Sequence, residues 1–462
     1  MKNTSSKNKP QVEPVAISSL PVLFPNTAGI DIGSKSHFVA VPADRDPKSV
    51  QEFSSFTMDL HKMCDWLRRC RIKTVVMEST GVFWIPAFEM LESEGFEVIL
   101  VNARHVKNVS AHKTDVLDCQ WLQQLGTFGL FKGAFRPANH ILALRTYLRQ
   151  REMLIRSAAQ HVQHMQKALT QMNLHLHNVL SDITGKSGML IIRAIVAGTR
   201  DPKTLAALRD GRCHNPQETI EASLVGNYRE EHLFSLTQAL ELYDFYAKKI
   251  SECDTTIEQA AKCLETKCDP EKLKKVKKLS KDQSGKKLKK HEYPFDLCSE
   301  LIRTTGVDLT QIPSIGASTA LTIVSEIGLD MSRWKSAKHF ASWLGLCPGN
   351  KISGGKRLSG KTKPCANRVA VALRVAANTL YNSQSAFGAF LRRMKGRLGS
   401  PKAITALAHK LSKLIYIMLK YGTEYVEKGL EFYEEMYKKR REVALRRKAK
   451  ELGFELVNPI KA

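Results

Sequence analysis

One stretch of the chain, "ILALRTYLRQREMLIRSAAQHVQHMQKALTQMNLHLHNVL" from Ile141 to Leu180, runs some forty residues without a proline or a glycine. Its apolar side chains recur at intervals of three and four, the spacing of a coiled coil or of a long antiparallel helical pair. An insert around "GTRDPKTLAALRDGRCHNPQ" interrupts the pattern. It resumes in "REEHLFSLTQALELYDFYAKKISECDTTIEQAAKCLE", so residues 138–264 form a helical coiled-coil region with a small insert.

The flanking segments read differently. Over 27–135, "TAGIDIG" is a short apolar run ending in glycine, and "SHFVAVPAD" alternates as a half-buried strand does. "TVVMEST" reads as a third strand, "VFWIPAFEMLESEG" as a helix closed by glycine, and "FEVILVN" as another buried strand. This is an α/β unit whose early strands form a meander. Residues 265–298 are a lysine-rich linker, with ten lysines between Lys272 and Lys290. Residues 299–435 form a second, mostly helical domain, and 436–462 a basic tail containing "KKRREVALRRKAK". Residues 1–26 lack the continuous apolar segment of a signal peptide and read as a loose tail.

The charge balance narrows the partner. Lys and Arg number 71 against 45 Asp and Glu, a net charge of +26, which calls for a polyanion, most simply nucleic acid. No apolar run approaches the roughly 20 residues of a spanning helix, which argues against a membrane. The ten cysteines include no C-x-x-C pair, and Cys263 and Cys268 come nearest to one. Reduced cytosolic thiols fit that pattern better than disulfides or a zinc site.

Four carboxylates stand out. Asp31 sits inside the apolar strand "GIDIG", where an acidic side chain costs several kcal/mol unless neutralised. Glu78 closes the strand "VVMESTG", and strand ends are where α/β sites assemble. Asp115 and Asp118 in "HKTDVLDC" lie three apart at a helix start, on one face. An exposed acidic pair alone is ordinary. Four carboxylates converging would repel one another, and two Mg²⁺ ions would turn them into a site for phosphodiester displacement. A dinucleotide-binding reading of "GIDIGSKSH" fails, since no G-x-G-x-x-G is present.

In the second domain, "IPSIGASTALTIVSEIG" places Pro313 and Gly316 in a tight turn before a helix. That leaves backbone N–H groups open to a phosphate, as in a helix-hairpin-helix. "FASWLGLCPGNKISGGKRLSGKTKP" then ends in a basic, glycine-rich loop in which Ser353 and Ser359 each precede a glycine. Loop serines mostly cap or solvate, and the residues alone do not single out Ser353.

A resemblance does. "GIDIGSKSH", "VMESTG" and "HKTDVLDC" are similar to the DEDD domain of the IS110 family of bacterial insertion-sequence transposases. The family is kin to the Piv DNA invertases, and its N-terminal domain has a RuvC-like, RNase-H-type fold. "IPSIGASTALTIVSEIG", "FASWLGLCPGNKISGGK" and "ANRVAVALRVAANTL" resemble the same family's transposase domain, and the likeness spans about 27–430. It implies that Asp31, Glu78, Asp115 and Asp118 bind Mg²⁺, two ions, and that Ser353 is the nucleophile of an "SG" motif. That serine would form a covalent phosphoserine link to DNA beside the acidic tetrad. It further implies a structured noncoding guide ("bridge") RNA pairing with target and donor DNA. A tetrameric dimer of dimers would be joined through the helical middle, in a bacterial cytoplasm. Candidates for holding nucleic-acid backbone are Lys113, Pro313, Gly316, Lys351, Gly354, Lys356, Arg357 and Lys361. The insert at about 185–231 and the lysine run depart from the family pattern. Ser359 leaves a second choice of serine, and Ser353 is preferred as the first after "LGLCPG".

Two rivals remain at this level: a hydrolytic junction resolvase using water as nucleophile, and a nucleic-acid-binding protein with a dead site. His161, His164, His175 and His177 could suggest metal ligands. Lying on a polar helix, they read instead as solvated or RNA-facing.

Overall fold

The protein is described from a computed structural model covering residues 20–79, 81–102, 114–131, 133–269, 290–362, 364, 367–426 and 429–455. It divides into two compact units, up to Arg136 and from Pro137 onward.

The first unit is built on a five-stranded sheet. Its strands are β1 (Thr27–Ile32), β2 (Ser36–Ala40), β3 (Val50–Ser54), β4 (Thr74–Glu78) and β5 (Glu97–Val101), in the order β3-β2-β1-β4-β5. The first three pair antiparallel as a meander, and β1, β4 and β5 run parallel. "TVVMEST" is thus the fourth strand rather than the third. "VQEFS" intervenes as an edge strand, and it escapes a periodicity reading because none of its residues is buried.

The alternation of side chains sorts β1 into two faces. Ala28, Ile30 and Ile32 join Val75 and Met77 in a core covered by helices α1 (Thr57–Arg69) and α2 (Trp84–Ser93). Those helices contribute Leu60, Met63, Leu67 and Leu91. Each such side chain stabilises the fold by about 1.5–3 kcal/mol. The opposite face takes helix α3 (Asp115–Thr127), whose Leu122 packs with Val76 and Val101.

In the second unit, the long apolar run is realised as helix α4 (Asn139–Gln171), packed against α9 (Glu230–Lys262) of the same chain. Arg151 pairs with Asp254 and His161 stacks on Tyr246, so numbers rise on one helix as they fall on the other: the pair is antiparallel. The run ends at Asn173, whose φ of 60° is left-handed. Four short helices follow: α5 (Leu176–Val179), α6 (Lys186–Val196), α7 (Pro202–Ala207) and α8 (Gln217–Ser223). They bury Ile191, Ile195, Leu205 and Ile220 with Met165, Leu169, Leu236 and Leu240 of the long pair. The sequence insert is therefore a small lobe that shares one core with the end of the pair.

The remainder is mostly helical: α10 (Leu297–Thr305), α11 (Ala317–Ile327), α12 (Ala337–Trp343), α13 (Arg368–Thr379), α14 (Ala386–Leu398), α15 (Ser400–Tyr421) and α16 (Gly429–Glu451). A two-stranded sheet, β6 (Lys351–Ser353) and β7 (Lys356–Ser359), interrupts them. Phe340 and Tyr416 are fully buried, and the Tyr416 hydroxyl donates to the Trp334 carbonyl at 2.7 Å. Arg145 of α4 donates to the carbonyls of Ser325 and Glu326, and Arg149 holds the Glu326 carboxylate with two nitrogens. These bonds fasten α11 to the long pair. The basic segment expected as a tail from 436 is helical, as part of α16.

Among the described residues the cysteines are free thiols, and no helix is long and apolar enough to cross a membrane.

Candidate active site

Close backbone packing brings the acidic residues of the first unit to one end of the sheet. Thr27, Gly29 and Asp31 share the face of β1 that meets α3. A Cβ on Gly29 would lie 2.3 Å from both the Cys119 carbonyl oxygen and the Gln123 nitrogen. One on Gly126 would lie 2.4 Å from Thr27 Cγ2 and 3.0 Å from Val76 Cγ2. Glycine is required at both places because the opposing atoms are largely backbone or branched side chain. The matched pairs run in opposite directions, so α3 lies antiparallel to β1. Its first turn, with Asp115 and Asp118, is directed toward the strand end that carries Asp31.

The parallel pairing adds Glu78. Ile30 lies opposite Met77, so Asp31 and Glu78 are the next residues along two adjacent strands, on the face turned to α3. Both are half-buried, as is Asp118, whereas Asp115 is exposed. Thr114 caps the helix, its hydroxyl accepting from the Leu117 N–H at 3.2 Å. The helix dipole favours carboxylates in that first turn. Cys119 reports on the local field: burial pushes its thiol up to about 12, and the negative charges of Asp31 and Asp118 push the same way. The donors on offer are carboxylate oxygens, the set that Mg²⁺ prefers. Among the described residues, however, the acidic side chains do not already stand grouped closely enough to hold a metal ion. The backbone brings the four positions to one edge of the sheet. Lys113 lies outside the described residues.

In the second unit the expected basic loop is a hairpin. Ser353 pairs with Lys356 across a two-residue turn, with Gly354 at φ 54° and Gly355 at φ 74°. Two consecutive left-handed residues make a type I′ turn, which only glycine, asparagine or aspartate enters readily. Nothing lies within 4 Å of a Cβ at either glycine, so conformation rather than space demands them. The Gly-Gly pair was the signal that could have revealed this hairpin. Lys351, Ile352, Ser353, Lys356, Arg357 and Leu358 are all exposed. Ser359, paired with Lys351, is half-buried and accepts from the Lys361 N–H at 3.3 Å. The Arg357 guanidinium lies over Gly360, where a Cβ would clash with it. The two candidate serines thus differ: Ser353 stands at an open turn, and Ser359 is engaged at the root.

The turn before α11 also has definite geometry. The Ile315 N–H donates to the Ile312 carbonyl at 3.0 Å, Ser314 takes φ 73°, and Gly316 begins the helix without a side-chain cap. Pro313 is half-buried and Gly316 exposed.

Of the four histidines, His164 is exposed and the other three are half-buried. His161 stacks on Tyr246 with ring centroids 5.4 Å apart, and burial together with His164 holds its pKa below the usual value. A ring nitrogen of His175 bonds to the Asn173 side chain at 2.9 Å.

Two family models match the chain. One, the DEDD transposase model of the IS110 group, described as "Transposase", covers residues 28–174 and so includes all four carboxylates. The other, described as "Transposase IS116/IS110/IS902 family", covers 308–392 and includes the turn and the serine hairpin. Together they span half of the chain, and the insert lobe and lysine-rich segment lie between them. No curated protein matches it.

Proposed function

Because the chain belongs to the IS110 family of transposases, we propose that it breaks and rejoins DNA through a covalent link to Ser353. The acidic residues Asp31, Glu78, Asp115 and Asp118 would hold Mg²⁺ at the reacting phosphate. The convergence of two strand ends and a helix start, each bearing carboxylates, carries this reading.

Bound there, two magnesium ions supply charge neutralisation at the scissile phosphate. The chain's own residues do the rest. The Ser353 oxygen attacks phosphorus; a serine–phosphate ester forms as the bond to the 3′ oxygen breaks, and the serine proton is made up on the departing 3′ hydroxyl. A different 3′ hydroxyl then attacks the ester, restoring both a phosphodiester and the serine. Ester bonds are exchanged one for one, so no nucleotide triphosphate is consumed. Lys351, Lys356, Arg357 and Lys361 around the hairpin, and the amides following Pro313 and Gly316, hold backbone phosphates without reading bases. Sequence choice then falls to a structured guide RNA that pairs with donor and target DNA, and a dimer of dimers supplies the serines for two strands at two sites.

The exposure of Ser353 at the hairpin turn favours it over the engaged Ser359. The test incubates purified protein, RNA from the flanks of its gene and end-labelled junction DNA with Mg²⁺. A DNA–protein adduct on a denaturing gel, lost in both Ser353→Ala and Asp115→Ala, is the expected result. Nicked DNA without an adduct, unaffected by Ser353→Ala, would make water the nucleophile.

A further inference from the structure

A second cationic feature lies at the root of the serine hairpin. His409, Lys410 and Lys413 of α15 line a pocket of about 370 Å³ with Leu346, Pro348, Phe390 and Ala406. Pro348 bridges to Thr362, and the Gly349 N–H donates to the Lys361 carbonyl at 2.9 Å. One wall of the pocket is therefore continuous with the strands that end in Ser353.

The charges there are unusual for a helix packed in a domain. Lys413 is half-buried and makes no ion pair among the described residues. His409, four residues earlier and on the same face, is also half-buried, and burial together with Lys413 lowers its pKa. The Lys410 ammonium lies 4.9 Å from the centre of the Phe390 ring. The half-buried Lys413 ammonium has no counter-charge among the described residues, and burying an unpaired charge is costly. An anion entering the pocket removes that penalty. The apolar wall of Leu346, Pro348 and Phe390 suits the sugar attached to a phosphate better than a free, fully hydrated ion.

We propose that this pocket seats one phosphodiester of a polynucleotide, gripped by Lys413 with His409 and Lys410 beside it, and so positions the strand at the hairpin root. The importance of that position rests on the proposed role of Ser353; the seat itself does not.

The test uses the full chain and two polymers separately, a junction DNA duplex and the structured flanking RNA. Lysine acylation is read by peptide mass spectrometry, and affinity is followed against salt. Protection of Lys413 by either polymer by more than about fivefold is expected. So is a binding slope lower by about 0.9 in Lys413→Ala but not in Lys413→Arg. The polymer that gives the effect identifies the source of the phosphate. Lys413 equally reactive with and without both polymers, while the exposed lysines of α16 are protected, would overturn the seat even if Lys413→Ala failed to fold. Protection of Lys413 in a protein that forms no adduct would retain the seat and remove the serine reading. An adduct formed with Lys413 unprotected would do the reverse.

Discussion

Gly29 on the central strand meets Cys119 on α3 backbone to backbone, so closely that a Cβ on the glycine would fall 2.3 Å from the cysteine carbonyl oxygen. That contact sets the depth at which α3 rides on the sheet, and with it the position of Asp115 and Asp118 relative to Asp31. Neither partner can yield by turning a side chain. Gly29→Ala is expected to cost about 3 kcal/mol or more by overpacking and to abolish metal-dependent cleavage. Gly211→Ala, where nothing lies within 4 Å of the added carbon, serves as the unaffected control in urea unfolding.

The hairpin turn separates function from stability. Gly354→Ala and Gly355→Ala each force a left-handed alanine, costing about 1–2 kcal/mol locally. The exposed hairpin contributes little to the core. Both variants should keep the wild-type melting temperature and lose most adduct formation. A matching fall in melting temperature would contradict this.

How much of this was readable beforehand depends on whether the signal is local. Asp31 and Glu78 declared themselves because each is acidic in an apolar strand, and the long helix because no proline or glycine interrupts its apolar period, although its end at Gln171 carries no such mark. The edge strand Val50–Ser54 carries no alternation to read, being half-buried on either side of an exposed Glu52. The antiparallel partnering of α4 with α9 inside one chain, and the glycine contacts that seat α3, are tertiary facts with no periodicity of their own. Lys413 and His409 read as an ordinary polar helix face until the fold sets Pro348 and Phe390 beside them.

The buried pair Arg151–Asp254 locks the helical middle. Both residues are about 5% exposed, and the guanidinium also lies 4.0 Å from the centre of the Tyr293 ring and donates to the His291 carbonyl. Arg151→Met leaves a buried carboxylate unpaired and should cost about 3–5 kcal/mol, whereas Arg151→Met with Asp254→Leu should recover most of it. Thermal melts of the two proteins decide the matter.

Thiol reactivity reports the folded site. Cys119 is pushed up to about 12 and Cys64 to about 11, chiefly by burial, while Cys263 is exposed. At pH 8 iodoacetamide should label Cys263 quickly and reach Cys119 and Cys64 only on unfolding. The raised values also carry a sign. Their contribution to stability is complete below the ordinary thiol value near 9 and is lost as pH rises toward 11–12, where the folded thiols ionise too. Cys119→Ala should flatten that alkaline decline.

Ser314 holds φ 73° in the turn before α11, a conformation that a β-branched residue resists. Ser314→Val should cost about 1–2 kcal/mol. Ser314→Gly should cost nothing and retain DNA affinity.

The most direct measurement is the identity of the linked residue. The covalent complex formed with Mg²⁺, guide RNA and junction DNA is digested with nuclease and trypsin, and the modified peptide is sequenced by mass spectrometry. A nucleotide phosphate on Ser353 and none on Ser359 is the expected result. A nucleotide on Ser359, or cleaved DNA with both serines unmodified, would contradict it.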